Sequence, residues 1–496
     1  MARTGTAAKS GKRTSHWLIL ILLALAQFMV ILDVSIVNVA LPAIQRAFSM
    51  SQDSLQWIVT AYSLTFGGFL LLGGRNADLF GRRRTFLMGI TAFTLASLGS
   101  GLSPHGDVLI FFRALQGLSG AYMSPAALSI ILVTYREGHE RNVALSVWGA
   151  VASGGAAVGV LAGGIITQYL TWRWNFFVNV PVGIFVIITA LRILDKHEST
   201  AEHRNLDLPG AISVTGGLMM LVYGLVKAPM EGWTSSGSLW HFGAALALLA
   251  FFIYNESRAK HPLMPLGIFR IRNLSGADSL MLLLAAGLFS VFFFTSLYIQ
   301  EVLGYSPVRT GFSFLIVPIT IAIVATNVPR LVRRVGYRPI LIIAPLFVSA
   351  GLFWLSHIPV NGTYWADVAP GLLLMGLGMG STFVSVTIAA TSGVPHHEAG
   401  LASGLLNTAQ QIGGALGLAV LTGIATSSTS RYIQNLHLRT VPSHEVIAAA
   451  TVHGFHDGYL IGSTFGIGAS LLAIFVIRAQ HAKTDPSHGE AATTAH

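Results

Sequence analysis

Along this chain the polar residues gather into short turns and the apolar residues into long blocks. Apolar windows of about 20 residues, the length that crosses a hydrocarbon core of roughly 30 Å, recur fourteen times. They centre approximately on 17–41, 54–74, 85–103, 107–134, 142–168, 175–194, 207–227, 238–256, 273–300, 308–329, 339–357, 366–390, 400–426 and 458–478. A backbone facing lipid must satisfy its own hydrogen bonds, so each block predicts a helix. The predicted fold class is an all-α integral membrane protein with 14 transmembrane helices.

The blocks repeat. "RNADLFGRR" (Arg75 to Arg83), between helices 2 and 3, has an echo in "RLVRRVGYR" (Arg330 to Arg338), between helices 10 and 11, at an offset of 255 residues. "QGLSGA" (Gln116 to Ala121) in helix 4 is matched more loosely by "MGLGMG" (Met375 to Gly380) in helix 12, at an offset of 259. Transporters often show such related halves. The expected organisation is an N-terminal six-helix bundle (1–206), an inserted helix pair (207–256) and a C-terminal six-helix bundle (257–496), joined by the polar or proline-containing linkers "LDKHESTAEHRN" and "SRAKHPLMPLGIFRIRN".

Composition agrees and adds an orientation. The chain is 53% hydrophobic and 10% charged, with a mean hydropathy of +0.66, whereas soluble domains carry about 25% charged residues. With the N-terminus inside, 23 of the 30 Lys and Arg fall on inner segments, six (Arg46, Arg173, Lys227, Arg309, Arg431, Arg439) on outer ones, and Arg113 within a helix. The positive-inside rule then places both termini in the cytoplasm of a multi-pass protein of the cell (inner or plasma) membrane. The net charge of +10 is accounted for by topology and calls for no nucleic acid partner. The basic start runs into about 25 apolar residues, longer than a signal-peptide core, so helix 1 is expected to be retained. Without cysteine there is no disulfide, thiolate or Cys-ligated metal.

Against this background the polar residues inside the blocks stand out. Asp33 is a lone carboxylate within helix 1, and an intramembrane acid is a functional-site hypothesis by default. At 1.5 Å per residue it lies roughly 12 Å below the outer end of its helix, while Arg113 and Gln116 of helix 4 lie about 8 and 12 Å below the outer surface. The three can share a level. Two readings are open: a static ion pair that fixes helix 1 against helix 4, and a carboxylate that exchanges a proton when the arginine moves. In helix 5, Gly155, Gly159 and Gly163 form a small-residue stripe that lets another helix approach closely. The loop around Asp78 is short, so Asp78, Gly81, Arg82 and Arg83 lie against the inner ends of helices 2 and 3. Positive-inside topology explains the arginines, not the spacing of Asp78 and Gly81.

Helix 13, "LLNTAQQIGGALG", sets Asn407, Gln411, Gly414 and Gly417 or Leu418 along one stripe, where amides either bind substrate or join helices. Asn38, Trp57, Tyr62 and Tyr122 are candidate linings of a central cavity, alongside Phe292 to Phe294. Asp278 of helix 9 lies about 8 Å in from the inner surface, either solvated from the inner vestibule or functional. Glu301 is placed at the outer surface. His437, His444, His453 and His456 lack metal-ligand spacing and are expected in a solvated outer loop. No metal site, cofactor or catalytic residue is expected, and no G-x-x-x-x-G-K-[ST] loop supplies ATP hydrolysis.

Four motifs together resemble the major facilitator superfamily, specifically its fourteen-helix drug:proton antiporter branch. "LDVSIVNVALP" (Leu32 to Pro42) is similar to that branch's helix 1 signature, with Ser35 where Thr is usual. "GRNADLFGRRR" (Gly74 to Arg84) resembles the loop motif G-x-L-x-D-x-x-G-R-R, with Asn76 in the Leu position. "RALQGLSGA" (Arg113 to Ala121) resembles R-x-x-Q-G, and "GVLAGG" (Gly159 to Gly164) the antiporter motif G-P-x-x-G-G, with Val160 replacing Pro. The resemblance implies a conformational latch at Asp78 with the neighbouring arginines and a helix N-terminus. It also implies a helix 5 that packs between the halves and limits leak, and proton coupling at Asp33. The implied activity is proton-coupled export of amphipathic small molecules or drugs by alternating access, in a lipid bilayer. The alternatives are export of an endogenous metabolite, self-made antibiotic or lipid, or a non-transporting receptor or scaffold.

Overall fold

The computed structural model describes residues 13–135, 139–194, 207–260, 262–392, 394, 399–437 and 443–478. Among them are fourteen helices long and apolar enough to span a bilayer, and no strand. The first six are α1 (His16–Phe48), α2 (Gln52–Ala77), α3 (Arg82–Leu102), α4 (Gly106–Thr134), α5 (Val143–Tyr169) and α6 (Trp174–Ile193). The pair α7 (Leu208–Ala228) and α8 (Ser236–Arg258) follows. The last six are α9 (Arg272–Val302), α10 (Pro307–Val335), α11 (Tyr337–Leu355), α12 (Tyr364–Thr391), α13 (Gly400–Asn435) and α14 (Glu445–Phe475). The linker "LDKHESTAEHRN" lies, from 195 onward, outside the described residues.

Two of the short turns are built on a glycine. Gly81 (φ +98°) joins α2 to α3 and Gly336 (φ +79°) joins α10 to α11. Both occupy the left-handed region that any side chain would strain, which is why the loop motif keeps a glycine in each half. Packing repeats as well. The stripe in α5 lies against α1: a Cβ on Gly159 would stand 2.6 Å from the Ser35 Cβ, and one on Gly163 2.8 Å from the Ile36 carbonyl oxygen. In the second half α13 lies against α9 through Gly413 and Gly417, where an added Cβ would come within 2.2 Å of the Leu282 carbonyl oxygen and of Ala286. Between helices in lipid there is little hydrophobic drive, so close backbone approach is what holds such seams.

The bundles meet along two lateral seams. At one, α2 faces α13: Thr408 Oγ1 donates to the Gly67 carbonyl (3.3 Å) and Thr426 Oγ1 to Asp53 Oδ1 (3.0 Å). At the other, α5 faces α10, where Gly164 lies against Pro307 and Gly311 against Val160. The ends opposite the Gly81 and Gly336 turns are drawn together. There Ser296 Oγ of α9 donates to the Asn38 carbonyl of α1 (2.7 Å), and Gln300 Nε2 to the Val39 carbonyl (2.9 Å).

The inserted pair covers the α2–α13 seam. Leu218, Val222 and Val226 of α7 form one buried cluster with Leu64 of α2 and Ala415 and Ala419 of α13. Outside it, α8 presents Trp240 and Leu246, each about 70% exposed, as an apolar face of the kind that meets lipid. Asp207 caps α7, accepting from the Gly210 N–H (2.9 Å) and from Asn255 Nδ2 of α8 (2.8 Å). Burial acts to raise its carboxyl, but the hydrogen bonds, led by the Gly210 N–H, outweigh it and hold it below the usual carboxylate range. That contribution is complete above the ordinary range and is lost as pH falls through the lowered one.

One expectation is overturned. The histidines assigned to a solvated outer loop are divided between a turn and a helix, because α13 runs to Asn435 and the last helix already starts at His444. His453 and His456 therefore sit on α14, with the His453 ring against Tyr432 (5.1 Å) and His456 Nε2 2.6 Å from the Ile358 carbonyl oxygen. His437 lies in the turn, at a φ of +45°. Only the His444 side chain lies outside the described residues. Helical hydrogen bonding does not stop where hydrocarbon ends. An apolar window measures the second boundary and misses the first.

Candidate functional site

Asp33 is completely buried in the first bundle and accepts from three side chains. The guanidinium Nη1 of Arg113 forms an ion pair with Oδ2, while Gln116 Nε2 and Asn179 Nδ2 each donate to Oδ1 at 3.0 Å. An ionised carboxylate is acceptor-only, so three donors match its charged form. The sequence places them here by periodicity: Arg113 and Gln116 lie three residues apart on one face of α4.

A second layer orients the first. Arg113 Nε donates to the Ile58 carbonyl (3.0 Å) and Nη1 to Gln116 Oε1 (3.0 Å), and its charge lies 4.4 Å from the Tyr62 ring centroid, within cation–π range. Gln116 Nε2 also donates to Ser97 Oγ of α3 (2.7 Å), and Ser100 Oγ donates to Gln116 Oε1 (3.2 Å). Helices α1, α2, α3, α4 and α6 thus converge on one carboxylate. Removing one partner of a buried pair strands the other charge and costs about 3–5 kcal/mol.

Asn179 is a partner that inspection of the sequence passed over. Its signal was present in "WNFFVNVP": Asn175 and Asn179 stand four apart in an apolar span, and both are buried. Tyr62, placed among cavity linings, instead belongs to the Asp33 cluster and stacks on Phe66 (5.9 Å).

The other proposed substrate contacts scatter. Trp57 meets Tyr223 of α7 (6.1 Å). Tyr122 packs with Phe69 and Leu71 against Leu72, Ala211 and Leu263, towards the inserted pair. Asn38 Nδ2 bonds the Val34 carbonyl (3.1 Å), while its own carbonyl takes part in the closure with Ser296. Asn407 is exposed and bonds the Ser403 carbonyl (3.1 Å). Gln411 lies with its Cβ against Gly67 on the seam between bundles. None of these touches Asp33.

At the loop motif, Gly74 sits near Pro125 and Gly81 forms the turn. Arg83 Nη2 donates to the Leu191 carbonyl at the end of α6 (2.8 Å), where a cation complements the helix dipole. Asn76, the departure from the usual Leu, accepts from Thr85 Oγ1 (2.8 Å) and ties α2 to α3. The side chain of Asp78 lies outside the described residues. In α5, Gly155 abuts Phe28 and Ile31, and the helix is continuous through Val160. With Gly159 and Gly163 the stripe serves α1 within its own bundle, and Gly164 alone of the four faces the other bundle. Arg82 contributes positive charge at the same turn.

Comparisons with known proteins bear on the fold as a whole. The family model described as Major Facilitator Superfamily matches residues 23–418. A puromycin resistance protein of Streptomyces alboniger is 40% identical over 470 residues, covering 94% of this chain and 92% of that one. A cephamycin export protein of Amycolatopsis lactamdurans is 37% identical over 432 residues, covering 86% and 88%. Among solved structures, a bacterial homolog of the human lysosomal transporter Spinster, inward-facing and occupied, superposes with a TM-score of 0.65 at 13% identity, covering 94% of this chain and 97% of that one.

Proposed function

The chain belongs to the Major Facilitator Superfamily, and from that premise we propose that it exports amphipathic small molecules of the antibiotic class from the cytoplasm in exchange for protons. The observation that carries the proposal is the buried Asp33 carboxylate held by Arg113, Gln116 and Asn179, in a chain similar over most of its length to antibiotic resistance and export proteins. A scaffold has no use for so costly a charge, and a transporter does. In the state described here, closed at the Ser296 and Gln300 end, Asp33 is matched as an anion. When the outer end opens, a proton from outside replaces Arg113 as its partner. On return the proton leaves inward, and the recovered pair is ready for the next substrate. The motif at Gly81, Arg82, Arg83 and Asp78 biases which end is closed.

The names of these relatives include both resistance and export, which favours a second reading as well: the natural cargo is a product that the cell itself makes. The two share one mechanism. The test is gradient-driven flux in proteoliposomes, with puromycin as the first probe and a panel of cationic and neutral amphiphiles behind it. Uphill movement that tracks an imposed pH gradient supports the proposal. Failure of the whole panel to move with the gradient overturns it.

Orientation has a separate check. The basic turns face the cytoplasm in this reading, so in the cysteine-free chain Ser443→Cys is expected to react with an impermeant thiol reagent on intact cells, and Lys260→Cys only after permeabilisation. Both positions are exposed. The reverse pattern would invert the topology.

A further inference from the structure

Asp278 is the one acid inside the α9 span that the cycle above leaves unused until the outer turn at Glu301. It lies six residues into α9, about 9 Å from its start, beyond the first turn in which the helix dipole helps an anion. The residue is 8% exposed, and both carboxyl oxygens are buried without a hydrogen-bond partner among the described residues. Two arginines at that end of the bundle are engaged elsewhere. Arg272 of α9 donates to the Val476 and Phe475 carbonyls, and Arg338 of α11 to the Ile474 carbonyl. Tyr337 bonds Asn273 and the Arg478 carbonyl. Helices α12 and α13 carry charge only towards their far ends, at Asp367 and Arg431, and on α14 the titratable groups from Glu445 to Tyr459 also lie in the opposite half.

An unpartnered, dehydrated carboxylate is strongly disfavoured, whereas the neutral acid fits an apolar seam. One turn further along α9, Leu282 is packed against Gly413 of α13. Asp33, by contrast, has three donors in the same state of the molecule. We propose that Asp278 is a second proton-binding group, which holds a proton while the outer end is closed and exchanges it when α9 moves. Its link to the gate is mechanical: α9 also carries Ser296 and Gln300, the two residues that close on α1, so opening that end displaces the helix on which Asp278 sits. The role in the cycle rests on the proton-coupled reading above; the bound proton does not.

The experiment has two arms. Infrared spectra of the purified protein at neutral pH are expected to show the carbonyl band of a protonated carboxylic acid that Asp33→Asn leaves in place and Asp278→Asn removes in part. Glu256→Gln is run alongside, because Glu256 is also buried. In proteoliposomes, Asp278→Asn is expected to retain gradient-driven export with fewer protons exchanged per substrate. A band unchanged by Asp278→Asn overturns the proposal, and so does a lost band with an unchanged proton-to-substrate ratio. Should that variant fail to reach the membrane, Asp278→Glu must shift the band, and an unshifted band overturns the proposal too. Loss of coupling at Asp33 is read separately, so failure of the general mechanism would not be mistaken for failure at Asp278.

Discussion

Asp33→Asn is expected to abolish uphill export driven by a pH gradient while leaving the protein folded. The amide has nearly the shape of the acid and keeps one acceptor for Gln116 or Asn179, but it carries no charge and releases no proton. Arg113 loses its counter-ion and retains the Ile58 carbonyl, Gln116 and the Tyr62 face, so part of the cost of about 3–5 kcal/mol is recovered locally. Binding separates two roles. A cationic substrate that uses Asp33 as counter-ion should lose affinity, by about tenfold for each 1.4 kcal/mol, and a neutral one should keep most of it. By the repeat offset Ser290, a buried hydroxyl bonded to the Gly287 carbonyl, stands near the equivalent position in the second half. Singly charged or neutral substrates are therefore expected to be handled better than dications. The measurement is transport and substrate binding by the variant in proteoliposomes. Wild-type gradient-driven flux would reduce Asp33 to a structural ion-pair residue.

Gly164→Leu is expected to lower export at least about fivefold by holding the outer end open. A Cβ at this position would stand 2.5 Å from the Pro307 carbonyl oxygen and 3.0 Å from Val308 Cα. Both are backbone atoms of the other bundle, so the contact is relieved only if the bundles part. Overpacking of this kind costs about 1–3 kcal/mol, enough to move a two-state equilibrium by roughly fivefold to 150-fold. The state that parts them is the one open at the outer end. Ser296→Cys, buried in the closed state, then becomes reactive to an impermeant reagent when combined with Gly164→Leu. Gly154→Ala is the control, since no atom lies within 4 Å of its added Cβ. Full transport with Ser296→Cys still protected would show that this seam does not gate.

The polar anomalies in apolar surroundings were the legible part of the site. Asp33 and Arg113 are conspicuous because charge in a helix interior demands a partner, and depth along two helices was enough to bring them to one level. Asn179 was less legible: an amide in a span costs less than a charge, and many such amides bond their own helix, as Asn38 does with Val34. The division of the glycine stripe was legible only in part. Spacing shows that Gly155, Gly159, Gly163 and Gly164 admit a close neighbour, not that the first three face α1 and the last faces α10.

Taken by itself, the order of residues determined the number of spans and the level at which Asp33 and Arg113 pair, and it led to the expectation of two related halves with a pair between them and of a basic inner side. Each follows from a local or additive property: hydrophobic length, charge per turn, offset between echoes, rise per residue. Tertiary structure alone decided what depends on how helices rotate and meet. It brought Asn179 to Asp33 and Tyr62 to Arg113, laid α7 over the α2–α13 seam, closed α9 on α1, and left Asp278 buried without a hydrogen-bond partner among the described residues. A helix of apolar sequence turns any face to lipid at little cost, so its rotation is set by close backbone approach at a few glycines and by the donors a buried acid can find, and neither is a property of one segment.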